Sequence, residues 1–233
     1  MVKTTWVCLA VSLIVEVRAF IAPFGQQVIR GASLEVRMGA EHSSSHVKRV
    51  QLGTTGITIS EIGFGTIAWG DSSRGYSSDY TEAMLQQAFR ELVEGGVTFV
   101  DTAEVYGHQG MESGASAEHL LCQFRDAMPT DAPELNVATK YFPVAWTNLL
   151  VGGGVRMGRQ AVVEALQMSL TRLGKSYVDL YQLHFPFPYV GGNQALAEGL
   201  AECVDRGLCK AVGVSNYNAQ ELRAAHADLA RLG

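Results

Sequence analysis

Several polar residues in this chain stand one by one at the ends of apolar strand-like runs. Asp101 closes Val97-Thr98-Phe99-Val100, Lys140 closes Val137-Ala138-Thr139, and His184 closes Leu180-Tyr181-Gln182-Leu183, while Tyr106 follows Asp101 by five residues. A charge at the end of an apolar strand loses hydration unless it gains partners, so four such groups on one rim point to a shared site. The chemistry they could do is proton donation to a carbonyl oxygen. A tyrosine is a poor acid, with a pKa of about 10 in water, and a nearby ammonium stabilises its phenolate. Lys140 would supply that charge and a buried Asp101 would hold it in place. His184, read as neutral, would orient the carbonyl or shuttle a proton. A carbonyl that gains a proton on oxygen must gain a hydride on carbon. Side chains carry no hydride donor, so a nicotinamide cofactor is implied.

The elements that must position these groups repeat regularly from Val47. A hairpin is signalled by Val50-Gln51-Leu52 and Ile57-Thr58-Ile59 around Gly53-Thr54-Thr55-Gly56. Strands are then expected over residues 62–68, 97–101, 135–140, 178–184 and 210–214. Helices are expected over 78–93, 116–128, 159–173 and 195–206, and a last one opens on Asn218 as N-cap with Glu221 in capping-box spacing and runs to Gly233. Alternating strands and helices imply a parallel sheet with right-handed crossovers. The run Gly63-x-Gly65-x-x-Ala68 matches a dinucleotide-binding turn. It lies inside a strand with about ten loop residues before the next helix, whereas phosphate binding by a helix terminus needs the immediate junction. A (β/α)8 barrel, with its site at the C-terminal ends of the strands, fits better.

That barrel would be incomplete, with about five of eight units. Asp101, Lys140, His184 and Ser215 are spaced by 39, 44 and 31 residues. Three more units would need roughly 90 to 115 further residues, consistent with a full barrel, typically about 250 residues and often longer. The expectation is a chain cut short of closure, with the first and fifth strands as bare edges; a half-barrel completed by a partner chain is the alternative.

Composition sets the remaining bounds. With 233 residues, 47% hydrophobic, 18% charged and a net charge of −5, the chain is an ordinary globular one with no basic stripe for nucleic acid. The cysteines Cys8, Cys122, Cys203 and Cys209 lack metal spacing; Cys8 lies in the leader, and the other three read as reduced core residues. His42, His46, His108, His119 and His226 show no ligand spacing and read as surface residues; no metal is expected. Residues 1–19 look like a signal peptide, with Lys3 before the apolar run Thr4 to Val15. Residues 20–46, opening on Phe20-Ile21-Ala22-Pro23-Phe24 and carrying Ser43-Ser44-Ser45, are transit-like and without fixed structure. They resemble the second part of the bipartite leaders of secondary-plastid algae. Plastid import follows, with no membrane attachment of the mature form; plain secretion is the competing reading.

Over residues 47–233 the chain resembles the aldo/keto reductases. The matching stretches are Gly63-Phe64-Gly65-Thr66, Phe99 to Gly107 (FVDTAEVYG), Ala138-Thr139-Lys140, Val178 to His184 (VDLYQLH) and Val212 to Tyr217 (VGVSNY). The wording around Trp69-Gly70-Asp71 and Gly158 to Val163 is most similar to chloroplast-type members of plants. The resemblance implies NADPH-dependent reduction of aldehydes or ketones, with Tyr106 as general acid tuned by Lys140 and Asp101, and His184 orienting the carbonyl. It implies that Ser215 and Asn216 bind the nicotinamide carboxamide and that Trp69 lines the substrate pocket. The sixth to eighth units would supply the remaining cofactor contacts. Rival readings are a strand-end cap for Asp101, a Schiff-base role for Lys140, a satisfied core histidine for His184 and hairpin packing for Trp69. For the whole chain they are a nicotinamide-sensing regulatory module or an inactive fragment. The physiological carbonyl and the oligomeric state are not encoded in these features.

Overall fold

The computed structural model describes residues 9–10, 47–151 and 155–232. The domain boundaries expected at residues 19 and 46, and nearly all of the leader, lie outside the described residues. The exception is a two-residue strand within the apolar run of the leader, β1 (Leu9–Ala10).

The chain from Val47 opens with the expected hairpin, β2 (Arg49–Gln51) and β3 (Thr58–Ser60), paired antiparallel. Five parallel strands follow: β4 (Gly63–Gly65), β5 (Phe99–Asp101), β6 (Asn136–Tyr141), β7 (Val178–Leu183) and β8 (Cys209–Val214). From β5 on, each pairs with its predecessor in sequence, giving the order β4-β5-β6-β7-β8. A doubly wound fold would reverse direction at a switch point, and this sheet does not. It is singly wound, as in a partial (β/α)8 barrel. β1 pairs parallel with Gly213 and Val214 of β8, so the edge expected to be bare carries this short strand. An unpaired row of backbone donors and acceptors accepts any extended segment that reaches it.

Helices α1 (Glu82–Glu94), α2 (Ala117–Asp126), α3 (Asn148–Val151), α4 (Gly158–Leu173), α5 (Gly192–Asp205) and α6 (Ala219–Ala230) fill the connections. The caps explain the boundaries. Thr81 accepts the Met84 N–H, so α1 starts four residues later than expected. Gly174 ends α4 at φ +59, where a Cβ would come within 2.8 Å of Cys122 Sγ. Asn218 and Glu221 form the full capping box of α6, which stops at Ala230 rather than Gly233. The first barrel strand is also shorter than expected, because Trp69 N–H turns back to the Thr66 carbonyl. The glycines of the decoy motif lie in β4, far from the start of α1 at Glu82.

Strand parity sorts the two faces of the sheet, since successive side chains point to opposite sides. Val137, Tyr141, Tyr181, Leu183, Val212 and Val214 belong to the main core under the helices. The other parity, Ala138, Leu180 and Ala211, packs against Leu52, Ile57 and Ile59 of the hairpin region, which floors the barrel interior. Ser60 Oγ pins that floor by accepting the N–H groups of Thr98 and Phe99, both at 2.9 Å. Residues one or two steps further along the interior parity reach the C-terminal rim. These are Asp101, Lys140, Gln182, His184 and Ser215.

Candidate active site

The geometry at that rim centres on Lys140. Its Nζ donates to Asp101 Oδ2 at 2.6 Å, to the Thr102 carbonyl at 2.9 Å and to Tyr106 Oη at 3.2 Å. The ammonium thus has three oxygen partners, and its side chain is buried. Tyr106 comes within reach because β5 ends at Asp101 and the chain turns sharply, with Tyr106 N–H bonded to the Ala103 carbonyl. The turn depends on Gly107, at φ +63, where a Cβ would lie 2.3 Å from the Trp69 carbonyl oxygen. The His184 ring stands edge-on to Tyr106 with centroids 5.5 Å apart. The structure therefore brings together Asp101, Lys140, Tyr106 and His184.

The electrostatics differ in part from the expectation. Burial raises the Tyr106 hydroxyl above its ordinary value, opposed mainly by the Lys140 charge and reinforced by Asp101. Lys140 moderates the acid without making it strong, so Tyr106 holds its proton at neutral pH. His184, only 5% exposed, is pushed down to about 3 by burial and secondarily by the Lys140 charge. Its ring is sandwiched by Phe185 (stacked, 4.7 Å) and Phe142 (edge-on, 5.5 Å), which explains the lost hydration. Nδ1 is buried with no hydrogen-bond partner among the described residues. Asp101 was expected to be buried, yet its side chain is 40% exposed. It occupies the last position of β5, where the sheet opens to solvent.

Ser215 and Asn216 lie on the same rim just past β8. Asn216 adopts φ +62, and its Nδ2 donates to the His184 carbonyl at 2.8 Å and to Ser215 Oγ at 3.2 Å. Trp69 is placed elsewhere. It is 7% exposed, with its ring against Phe64, Phe89 and Phe124 at 6.2, 6.2 and 5.3 Å. Both the pocket-wall and hairpin readings give way to core packing, because the turn at Thr66–Trp69 drives the indole in between α1 and α2. His119 is half-buried rather than on the surface, with Nδ1 2.8 Å from Ser116 Oγ. Cys203 and Cys209 are buried free thiols, and Cys122 is half-buried. Among the described residues no group of three or more His, Cys, Asp or Glu could hold a metal ion, and no helix is long and apolar enough to cross a membrane.

The model of the aldo/keto reductase family matches residues 61–231. The chain belongs to this family. A chloroplastic pyridoxal reductase of Arabidopsis thaliana is 34% identical over 185 residues, covering 77% of this chain and 47% of that protein. The chain thus spans about half the length of that curated relative. A thermostable aldo-keto reductase solved with the inhibitor epalrestat superposes with a TM-score of 0.60 at 27% identity, covering 78% of this chain and 58% of the other. A Bombyx mori aldo-keto reductase solved with NADP gives 0.57 at 26% identity, with 78% and 54% covered.

Several further residues shape the rim of this aldo/keto reductase chain without a periodic signal in the sequence. Phe142 and Phe185 enclose His184. Gln182 is buried at 4% exposure, on the interior parity between Leu180 and His184. Glu104, two residues before Tyr106, forms a buried pair with Arg156. The signal for Glu104 was available, as a charge within the Asp101–Gly107 stretch at a strand end. Its partner was not, because Arg156 lies 52 residues away in a loop with no periodicity.

Proposed function

We propose that this chain carries the proton-donating centre of an NADPH-dependent reductase of aldehydes or ketones. The observation that carries the reading is the Lys140 ammonium bridging the Asp101 carboxylate and the Tyr106 hydroxyl, with the neutral His184 imidazole edge-on to the phenol ring. Tyr106 Oη gives its proton to the carbonyl oxygen, and the phenolate left behind faces the Lys140 charge, which stabilises it. Asp101 holds the Lys140 Nζ in place. His184, uncharged at neutral pH, holds the carbonyl oxygen against Tyr106 without competing as an acid.

Open space at Gly65 and donors at Ser215 and Asn216 support a nicotinamide site on this rim. Gly65 pairs with Asp101, and a Cβ added there would meet nothing within 4 Å. Across the rim, Ser215 Oγ already accepts from Asn216 Nδ2, so its own hydroxyl proton is left for an amide carbonyl. Ser215 and Asn216 would hold the carboxamide. A reduced nicotinamide, when bound, would supply the hydride to the carbonyl carbon.

The test is Tyr106→Phe, which keeps the ring and removes the proton. Turnover of a reactive aldehyde should fall by roughly 10²–10⁴-fold, the usual worth of a general acid, while NADPH binding stays within about twofold. Retained turnover would assign the proton to another group. The leader reading extends the proposal to a plastid, the address carried in the name of the Arabidopsis relative. A fluorescent fusion of residues 1–46 that stayed in the cytosol or was secreted would refute that extension.

A further inference from the structure

Glu104 and Arg156 form a buried fork between the loop carrying Tyr106 and the loop that follows Lys140. Both side chains are 1% exposed. Arg156 Nη1 meets Glu104 Oε1 at 2.6 Å and Nη2 meets Oε2 at 2.7 Å. Glu104 Oε1 also accepts the Phe142 backbone N–H at 2.6 Å, and Arg156 Nη1 donates to the Phe142 carbonyl at 3.1 Å. The guanidinium caps the Tyr141 ring at 4.8 Å. One carboxylate therefore joins three pieces of the rim, namely the turn bearing Tyr106, the backbone of Phe142, whose ring touches His184, and the segment bearing Arg156.

We infer that the Glu104–Arg156 fork is a positioning device that fixes Tyr106 against Lys140 and Phe142 against His184. Neither residue meets the reacting atoms; they act through the backbone they hold. A fork–fork pair sets angle as well as distance, unlike a lysine's point charge. The Tyr106–Lys140 contact of 3.2 Å is already long for a charge-assisted bond, so small slack in the turn would break it. The part of this inference concerning turnover rests on Tyr106 being the proton donor; the part concerning position does not.

The structure supplies a control. Glu118 and Arg172 form another buried pair, at 2.7 Å, with Thr139 donating to Glu118 at 2.6 Å, on the face under the helices. Glu104→Gln and Glu118→Gln each leave a buried arginine without its counter-charge, so both should lower the melting temperature. Measured well below both transitions, only Glu104→Gln should lower kcat, by roughly ten- to a hundredfold, with NADPH affinity and carbonyl KM within about twofold. Arg156→Lys, which keeps the charge and loses the fork, should fall between wild type and Glu104→Gln, and it serves as the folded variant if Glu104→Gln does not fold. A second readout needs no turnover. With 13C-labelled tyrosine, the Tyr106 signal, assigned by its loss in Tyr106→Phe, should shift or broaden in Glu104→Gln or Arg156→Lys and stay unchanged in Glu118→Gln. Equal effects of the Glu104 and Glu118 changes, or an unmoved Tyr106 signal in both fork variants, would overturn the inference. A moved signal with turnover intact in Tyr106→Phe would instead count against Tyr106 as proton donor and leave the positioning role standing.

Discussion

The depressed basicity of His184 makes a quantitative prediction about stability. In the unfolded chain the imidazole titrates near its ordinary 6.5; in the folded protein it is pushed down to about 3. Between those values the unfolded state binds more protons, so stability is complete above pH 6.5 and is lost as pH falls toward 3. The linkage amounts to about 2 kcal/mol at pH 5 and to about 5 kcal/mol once both forms are protonated. His184→Gln removes the titration while keeping a polar side chain of similar reach. Urea unfolding of wild type and variant at half-unit pH intervals from 4.5 to 8 isolates the contribution, because the other histidines cancel in the difference. The gap between the two curves should narrow or reverse as pH falls, by about 1.4 kcal/mol per unit below pH 6. Parallel curves, or an NMR titration of His184 centred near 6.5, would refute the argument that its aromatic enclosure and the Lys140 charge keep it neutral. In the same range His184 should contribute no acid limb to the pH dependence of turnover.

Other perturbations test the surrounding argument. Lys140→Met removes the main influence lowering the Tyr106 hydroxyl, so its pKa should move further up; single-turnover oxidation of NADPH by an aldehyde should slow by roughly a hundredfold or more, and an unchanged rate would sink the pairing. Trp69→Ala should cost about 3–5 kcal/mol by denaturant unfolding, as an emptied aromatic core site does, with little change in carbonyl KM at low temperature; the reverse pattern would restore the pocket reading. Gly107→Ala drives a Cβ to 2.3 Å from the Trp69 carbonyl oxygen at φ +63, so the turn must shift and the Tyr106–Lys140 contact with it; wild-type stability and turnover would contradict the reasoning.

The sheet and the site were legible to different depths. The β6 and β7 strands could be located from short apolar-rich runs that carry few polar residues, because strands covered on both faces show little alternation. Boundaries that rested on apolar pattern alone drifted, as at α1, where the Thr81 cap and not the apolar spacing sets the start. The four rim groups could be named because each closes or follows a strand, and strand ends in a singly wound parallel sheet come to one rim. Trp69 was misplaced because the Thr66 turn, a single backbone hydrogen bond, decides which way the indole points.

By itself, the chain's order of residues determined the repeating unit, the sense of the sheet and the identity of the polar groups carried to its rim. These follow from local periodicity and from the desolvation cost that confines charges to strand ends. Only the tertiary structure decided how exposed Asp101 is, what surrounds His184, and that Glu104 reaches across 52 residues to Arg156. Those depend on which loops meet in space, and loop contacts between distant segments leave no periodic trace along the chain.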